Sequence, residues 1–261
     1  MYKVGEYVTR KKYNNDIIFK IISINDDIYY LKGVSVRLYA DSTEDDLVKC
    51  DIERDLEDNK EFLDRIKECR LERDDYFYLP GKILHIDGDS EYLNRCLKYY
   101  KDINIMAKGV VINEKDMPLK ITELLETYNP NILVITGHDA YYKKKGNIND
   151  INAYKNSINF VNTVSMARKY ESSHQKLIII AGACQSDYED LIKAGANFAS
   201  SPKRINIHAL DPAIIASSIA FSDRNQSIDL INVIKKTKYG SDGIGGIITS
   251  GTMYVGYPRW I

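Results

Sequence analysis

From Gly81 onward, short apolar runs alternate with amphipathic stretches, and this alternation limits the possible folds more than any other feature. Lys82–Asp87, Ile103–Ile112, Ile132–Thr136, Leu177–Ala181 and Ile205–Ala209 read as strands. Ser90–Tyr100, Pro118–Tyr128, a long stretch near Asp150–Tyr170, and Asp187–Ala194 read as the helices between them. Pro212–Phe221 and Ile228–Tyr239 read as two further helices. Such alternation predicts a mostly parallel sheet with helices on both faces, an α/β architecture. The Gly-rich run 240–246 then leads into an expected hairpin of Ile247–Thr249 and Met253–Val255, and is itself expected to be a mobile lid or substrate-binding loop.

The N-terminal part has a different rhythm. Val4–Arg10, Ile17–Ile24, Ile28–Leu31 and Val34–Tyr39 are rich in β-branched and aromatic residues and are separated by turn signals. Residues 1–48 therefore read as a small SH3-like β-barrel. Residues 49–78 change character again: 18 of the 27 residues from Lys49 to Asp75 are charged, with a thin apolar stripe of Leu56, Leu63, Ile66 and Leu71. This predicts a solvated helical linker, followed by the α/β domain over 79–261.

Composition removes several function classes. Lys+Arg 36 against Asp+Glu 37 gives a net charge of -1, so no global attraction to nucleic acid is expected. The apolar runs fall far short of a membrane span, and the opening Met1-Tyr-Lys-Val-Gly lacks the apolar core of a signal peptide. The four cysteines, at 50, 69, 96 and 184, form no CxxC pair, which argues against a disulfide framework or a zinc site and for a reducing interior. No metal or organic cofactor is expected, and the oligomeric state is not legible.

Parallel sheets present their chemistry just beyond the carboxyl ends of strands. Two such ends stand out: Ile132-Leu-Val-Ile-Thr-Gly-His138-Asp139 and Leu177-Ile-Ile-Ile-Ala-Gly-Ala-Cys184-Gln185. Each closes an apolar strand with a small-residue turn and one reactive side chain. A thiol titrates near pKa 8.5, so a nucleophilic cysteine needs a neighbouring base, and a helix starting near Asp187 adds its positive end. Cys184 and His138 are thus the candidate catalytic pair. Gly137, Asp139 and Gly182 are candidates for oxyanion or turn support, and the backbone N–H of Cys184 with one from the 137–139 turn is a candidate oxyanion hole. The two residues lie 46 positions apart, close to the separation of about 50 in caspases. Caspase-like peptidases also end neighbouring strands in His-Gly and Ala-Cys. Ala183-Cys184 matches that plan, while Gly137-His138 reverses the order.

Longer strings carry a closer likeness. Leu79-Pro-Gly-Lys-Ile-Leu-His-Ile-Asp-Gly-Asp89, Pro130-Asn-Ile-Leu-Val-Ile-Thr-Gly-His-Asp-Ala-Tyr141, Ala181-Gly-Ala-Cys-Gln-Ser186, Ala194-Gly-Ala-Asn-Phe-Ala-Ser-Ser-Pro202 and Asn206-Ile-His-Ala-Leu-Asp-Pro212 resemble the YabG family, sporulation-specific peptidases of spore-forming Firmicutes. The opening Val4-Gly-Glu-Tyr-Val-Thr-Arg-Lys11 is similar as well. The resemblance implies a cysteine peptidase that processes spore coat and related spore proteins inside a sporulating cell, in the mother-cell cytoplasm or developing coat. It carries the nucleophile to Cys184 and the base to His138. It also implies cleavage after basic residues, chiefly Arg, which needs an acid in the specificity pocket. Asp87, Asp139, Asp187 and Asp211 all lie at or near strand ends; the acid two residues before the cysteine in related Arg-specific enzymes is Gly182 here. Self-cleavage in the linker, at Arg54, Arg65, Arg70 or Arg73, is a further expectation.

Other readings compete. Cys184, His208 and Asp211 stand in the order of amidotransferase-like hydrolases, although His208 also suits a pocket wall. Asp87 and Asp89 suggest an acidic metal site as in response regulators, but His138 occupies the place of the phosphorylated aspartate. His85, inside the first strand, reads as a core residue. The contrasting class is a non-enzymatic module that binds spore proteins, with Cys184 inert.

Overall fold

A computed structural model describes residues 1–53, 60, 63–64 and 76–259. The chain divides into two compact units, Met1–Glu68 and Cys69–Ile261.

The first unit is a five-stranded antiparallel sheet. Its strands are β1 (Tyr7–Arg10), β2 (Phe19–Asn25), β3 (Ile28–Gly33), β4 (Tyr39–Thr43) and β5 (Leu47–Lys49), in the order β4-β3-β2-β1-β5. Side chains alternate across the pleat, so Val8, Phe19, Ile21, Tyr29, Leu31 and Leu47 share one buried cluster. Asp26, at φ +51°, makes the tight β2–β3 turn. The expected strand Val34–Tyr39 is absent. There, Gly33 N–H donates to the Leu38 carbonyl (2.7 Å) and Val34 N–H to Ile18 (2.9 Å), closing an irregular loop that turns Val34 and Val36 inward. The fourth strand starts at Tyr39 instead. Most of the expected linker helix lies outside the described residues, including Leu56, Ile66, Leu71 and the four arginines; Glu53, Lys60, Leu63 and Asp64 are helical.

The second unit is α/β. Its main sheet contains β7 (Ile83–Asp87), β8 (Ala107–Val111), β9 (Ile132–Thr136), β10 (Ile178–Ala181), β11 (Phe198–Ser200) and β12 (Ile244–Gly246). The order is β12-β11-β10-β9-β7-β8, parallel throughout except for the antiparallel edge strand β12. The five parallel strands follow the doubly wound order 2-1-3-4-5, whose crevice opens between the first and third strands, here β7 and β9. The helices are α1 (Ser90–Asp102), α2 (Met117–Tyr128), α3 (Ser157–Tyr170), α4 (Tyr188–Ala194), α5 (Asp211–Ala220) and α6 (Leu230–Lys235). α2, α3 and α4 pack together on one face, where Leu84, Ile86, Leu133, Ile135 and Ile179 meet Ile121, Leu125, Phe160 and Val164. α1 and α5 pack together, α1 against β7 and β8 and α5 against β9 and β10. Every residue of β9 is buried, as a central parallel strand requires. α5 is buried on nearly all sides, in keeping with its sequence DPAIIASSIA.

Three expectations change. Ile205–Ala209 is not a strand; the fifth parallel strand is the small-residue segment Phe198–Ser200. The long helix near 150–170 begins only at Ser157, because Asp139 holds Asn156 and Ser157 in place before it. The C-terminal hairpin does not form. Ile244–Gly246, within the Gly-rich run, pairs with β11, and β13 (Tyr254–Gly256) pairs with the distant β6 (Phe77–Leu79). The Gly-rich run is thereby partly built into the sheet. Among the described residues, no helix is long and apolar enough to cross a membrane.

Candidate active site

Three neighbouring strands end at one edge of the sheet. β7 and β9 pair up to Asp87↔Thr136, and β9 and β10 up to Ile135↔Ala181. His138 and Cys184 each lie three residues beyond the last β9–β10 pair, and Asp89 and His138 each lie two beyond the last β7–β9 pair. Parallel register thus brings Asp89, His138 and Cys184 to consecutive strand ends.

His138 is held from several sides. Its backbone N–H donates to Glu114 Oε1 (2.9 Å), and its carbonyl accepts from Asn156 Nδ2 (2.8 Å). Its Nε2 stands 3.1 Å from Asp89 Oδ2, and its ring centroid 5.6 Å from that of Tyr92. The imidazole and the Asp89 carboxylate are both largely buried. An added Cβ at Gly137 would press on the Glu114 carboxylate that holds the His138 N–H, 2.6 Å from Oε1.

Asp89 is fixed as the N-cap of α1. Its Oδ1 accepts from Glu91 N–H (2.8 Å) and Tyr92 N–H (3.2 Å). Its own N–H donates to Asp87 Oδ1 (2.9 Å), and the Thr136 hydroxyl donates to Asp87 Oδ2 (2.7 Å). His85 continues the chain inward, with Nε2 2.8 Å from Thr136 Oγ1 and Nδ1 3.1 Å from the Tyr100 hydroxyl. Asp87 and His85 are therefore parts of a buried polar core.

Asp139 ties the His138 turn to the Cys184 turn. Its Oδ1 accepts from Ala140 N–H (2.9 Å) and Asn156 N–H (2.7 Å), and its Oδ2 from the hydroxyls of Ser157 (2.5 Å) and Ser186 (2.9 Å). Ser186 Oγ also accepts Ala183 N–H (2.9 Å), and Ser157 Oγ accepts Asp187 N–H (2.8 Å). Burial pushes the Asp139 carboxyl above its ordinary value despite these four bonds.

Cys184 is fully buried. Gly182 precedes it at φ +108°, a conformation suited to glycine, and a Cβ there would meet Leu191 Cδ1 at 2.9 Å. Residues 201–208 run across the thiol: Ile207 N–H donates to Cys184 Sγ at 3.3 Å. Ser201 Oγ pins this strap, accepting Gln185 N–H (3.0 Å) and donating to the Ile205 carbonyl (2.7 Å).

The substrate-binding candidates differ in surroundings. Asp187 caps α4 and meets Arg204 at 3.3 Å; Arg204 also pairs with Glu189 and donates to the Tyr154 hydroxyl (2.6 Å). Asp187 Oδ2 is buried without a hydrogen-bond partner, and burial raises its carboxyl. Asp211 accepts backbone N–H groups on both oxygens, from His208 (3.0 Å) and Lys238 (2.8 Å). His208 Nδ1 accepts Leu210 N–H (3.2 Å). Sequence reasoning missed Glu114, Asn156, Ser157, Ser186 and Ser201, and read Asp89 only as a metal acid. The available signal was Asp89 directly before a helix in an Asp-Gly-Asp strand end.

A family model described as YabG peptidase U57 matches residues 3–258. The sporulation-specific protease YabG of Bacillus subtilis (strain 168) is 43% identical over 284 residues, spanning 98% of each chain. Among solved structures, a GDP-L-fucose synthetase from Naegleria fowleri aligns over 58% of this chain and 46% of its own, at 12% identity and a TM-score of 0.26, a likeness too slight to carry an argument. The family model spans nearly the whole chain and the relative matches it over almost its full length, so the chain belongs to the YabG peptidase U57 family.

Proposed function

We propose that this peptidase is a sporulation-specific cysteine endopeptidase that cleaves after basic residues, Arg above all, with Cys184 as nucleophile and His138 as general base and acid. Its substrates would be spore coat and related spore proteins, encountered inside the sporulating cell. The observation that carries the reading is the equal offset of His138 and Cys184 beyond paired strands, with Asp139 and Ser186 joining their turns at 2.9 Å. The adjacent parallel strands and two-sided helix cover support a caspase-like domain. The strand order of the first unit supports an SH3-like barrel, for which a substrate-docking role is proposed.

In this mechanism His138 takes the Cys184 thiol proton, and the sulfur attacks the scissile carbonyl carbon. The tetrahedral intermediate collapses as His138 returns the proton to the leaving amine, giving a thioacyl-enzyme. Water then attacks with His138 as base, the C–S bond breaks, and the thiol is regenerated. The His138 N–H is taken by Glu114, so the proposed oxyanion donors narrow to the Cys184 N–H and those of Gly137 and Asp139. Asp187 is the proposed acid for the substrate guanidinium. It already faces Arg204 and keeps a buried oxygen without a partner, whereas both Asp139 oxygens and both Asp211 oxygens accept hydrogen bonds and Asp87 belongs to the core. The order Cys184–His208–Asp211 is weaker, because Asp211 engages the His208 backbone and His208 Nδ1 accepts a backbone N–H. Membership in a peptidase family sets aside the non-enzymatic binding module.

The test is cleavage of a coat-protein extract by wild type, Cys184→Ala, His138→Ala and His208→Ala, with mass spectrometry of the new termini. Loss of cleavage in the first two variants and wild-type termini following Arg are expected. Activity in His138→Ala together with its loss in His208→Ala would move the alternative order ahead.

A further inference from the structure

We infer that Asp89 is the third member of the catalytic group, a positioning residue that fixes the orientation and tautomer of His138. The inference rests on the Cys184–His138 reading above. Its basis is the 3.1 Å approach of Asp89 Oδ2 to His138 Nε2 in a largely buried setting. Asp89 has little freedom to move. Its Oδ1 caps α1, and its N–H is bound to Asp87, which Thr136 and the His85–Tyr100 pair back from the core. His138 is clamped by Glu114 and Asn156 through its backbone, and the Tyr92 ring limits rotation of the imidazole. Both partners flank the crevice between β7 and β9, where a doubly wound sheet places its functional groups.

The chemical consequence follows from the inventory of donors. An ionised carboxylate only accepts, so His138 must carry its proton on Nε2 when neutral. Nδ1 then holds the lone pair and is the atom that takes the thiol proton. Once protonated, the ring becomes an imidazolium beside a buried anion, where the attraction exceeds its value in water. The carboxylate itself stays ionised throughout, as the orienting acid of a hydrolase triad does. Among the described residues, Asp89 and Tyr92 from the β7–α1 side approach the His138 ring and Glu114 from the β8–α2 loop holds its backbone N–H; the Asp139 carboxylate next in the chain turns to Ser157 and Ser186, Cys184 lies at the neighbouring strand end, and Arg95 lies over the Tyr92 ring.

Asp89→Asn separates positioning from helix capping, because Asn caps a helix as well as Asp. With full-length enzyme, the variant is expected to retain its melting transition, to lose on the order of 10²–10⁴-fold in kcat, and to change KM little. A second measurement needs no change at Asp89. In Cys184→Ala protein with 15N-labelled histidine, the neutral His138 imidazole is expected as the Nε2–H tautomer, its signal assigned by His138→Gln. A neutral Nδ1–H tautomer would overturn the proposal. So would wild-type kcat in Asp89→Asn while His138→Ala is inactive. Full activity in His138→Ala would remove the dyad itself, and the role of Asp89 with it.

Discussion

Ile207 donates its backbone N–H to Cys184 Sγ at 3.3 Å, so the candidate nucleophile is capped by its own chain at rest. The strap that carries Ile207 is anchored at Ser201 by two short hydrogen bonds. Ser201→Ala is expected to cost about 1–2 kcal/mol of stability and to speed alkylation of Cys184 by iodoacetamide several-fold. Mass spectrometry of the modified peptide over time checks this, and an unchanged rate would show that the strap does not limit access.

Asp139 supplies the acceptors that join two turns. Asp139→Asn keeps one oxygen for Ala140 and Asn156 but turns an amide N–H₂ toward Ser157 and Ser186, whose hydroxyl protons lose their acceptor. A loss of about 1–2 kcal/mol is expected, and about 3 kcal/mol for Asp139→Ala. Urea unfolding followed by far-UV circular dichroism gives both values; equal losses would mean that the donors find other partners.

Asp187 is the proposed acid for the basic substrate residue. Burial raises its carboxyl, so it takes up its proton at a higher pH than an ordinary aspartate as the solution is acidified. The KM for an Arg substrate should therefore climb on acidification before ordinary carboxylates titrate. Asp187→Asn should show a KM raised about 10–100-fold, corresponding to about 1.4–2.7 kcal/mol, with that pH dependence gone. Steady-state kinetics on an Arg peptide from neutral to mildly acid pH decides it.

Gly182 is placed by backbone conformation. Gly182→Ala meets both φ +108° and Leu191 Cδ1 at 2.9 Å, and should cost about 2–3 kcal/mol and most of the activity. Thermal unfolding and peptide cleavage measure the two losses; a stable, active variant would show that the turn tolerates a different path.

Much of the second unit is legible in the sequence because its central strands are apolar on both faces and each ends at a small residue. Ile132–Thr136 appears with its full extent for this reason. Phe198–Ser200 escapes notice because it is three residues long and mostly small. Ile205–Ala209 looks more like a strand, yet its apolar residues serve the strap over Cys184 rather than the sheet. The pairing of Tyr254–Gly256 with Phe77–Leu79 joins segments far apart in the chain, which local pattern cannot reveal. The same division holds at the site. His138 and Cys184 are readable as strand-end side chains. Glu114 acts through a backbone N–H and Asp89 through a register shared between two strands, and neither relationship leaves a mark in one stretch of sequence.

A single carboxylate oxygen of Asp139 grips both Ala140 and Asn156, the two ends of an excursion of the chain. The stretch between those ends is anchored again farther out, where Tyr141 N–H donates to Gln185 Oε1 (3.2 Å), the Tyr141 hydroxyl to the Gly146 carbonyl (3.1 Å), and the Tyr154 hydroxyl, which accepts from Arg204, to the Ile148 carbonyl (2.6 Å). The exposed lysines 143–145, outside those anchors, can thus be recharged or exchanged without dislodging the candidate reactive groups. The loop is a replaceable fitting on a fixed mount, where a change of target need not disturb the chemistry.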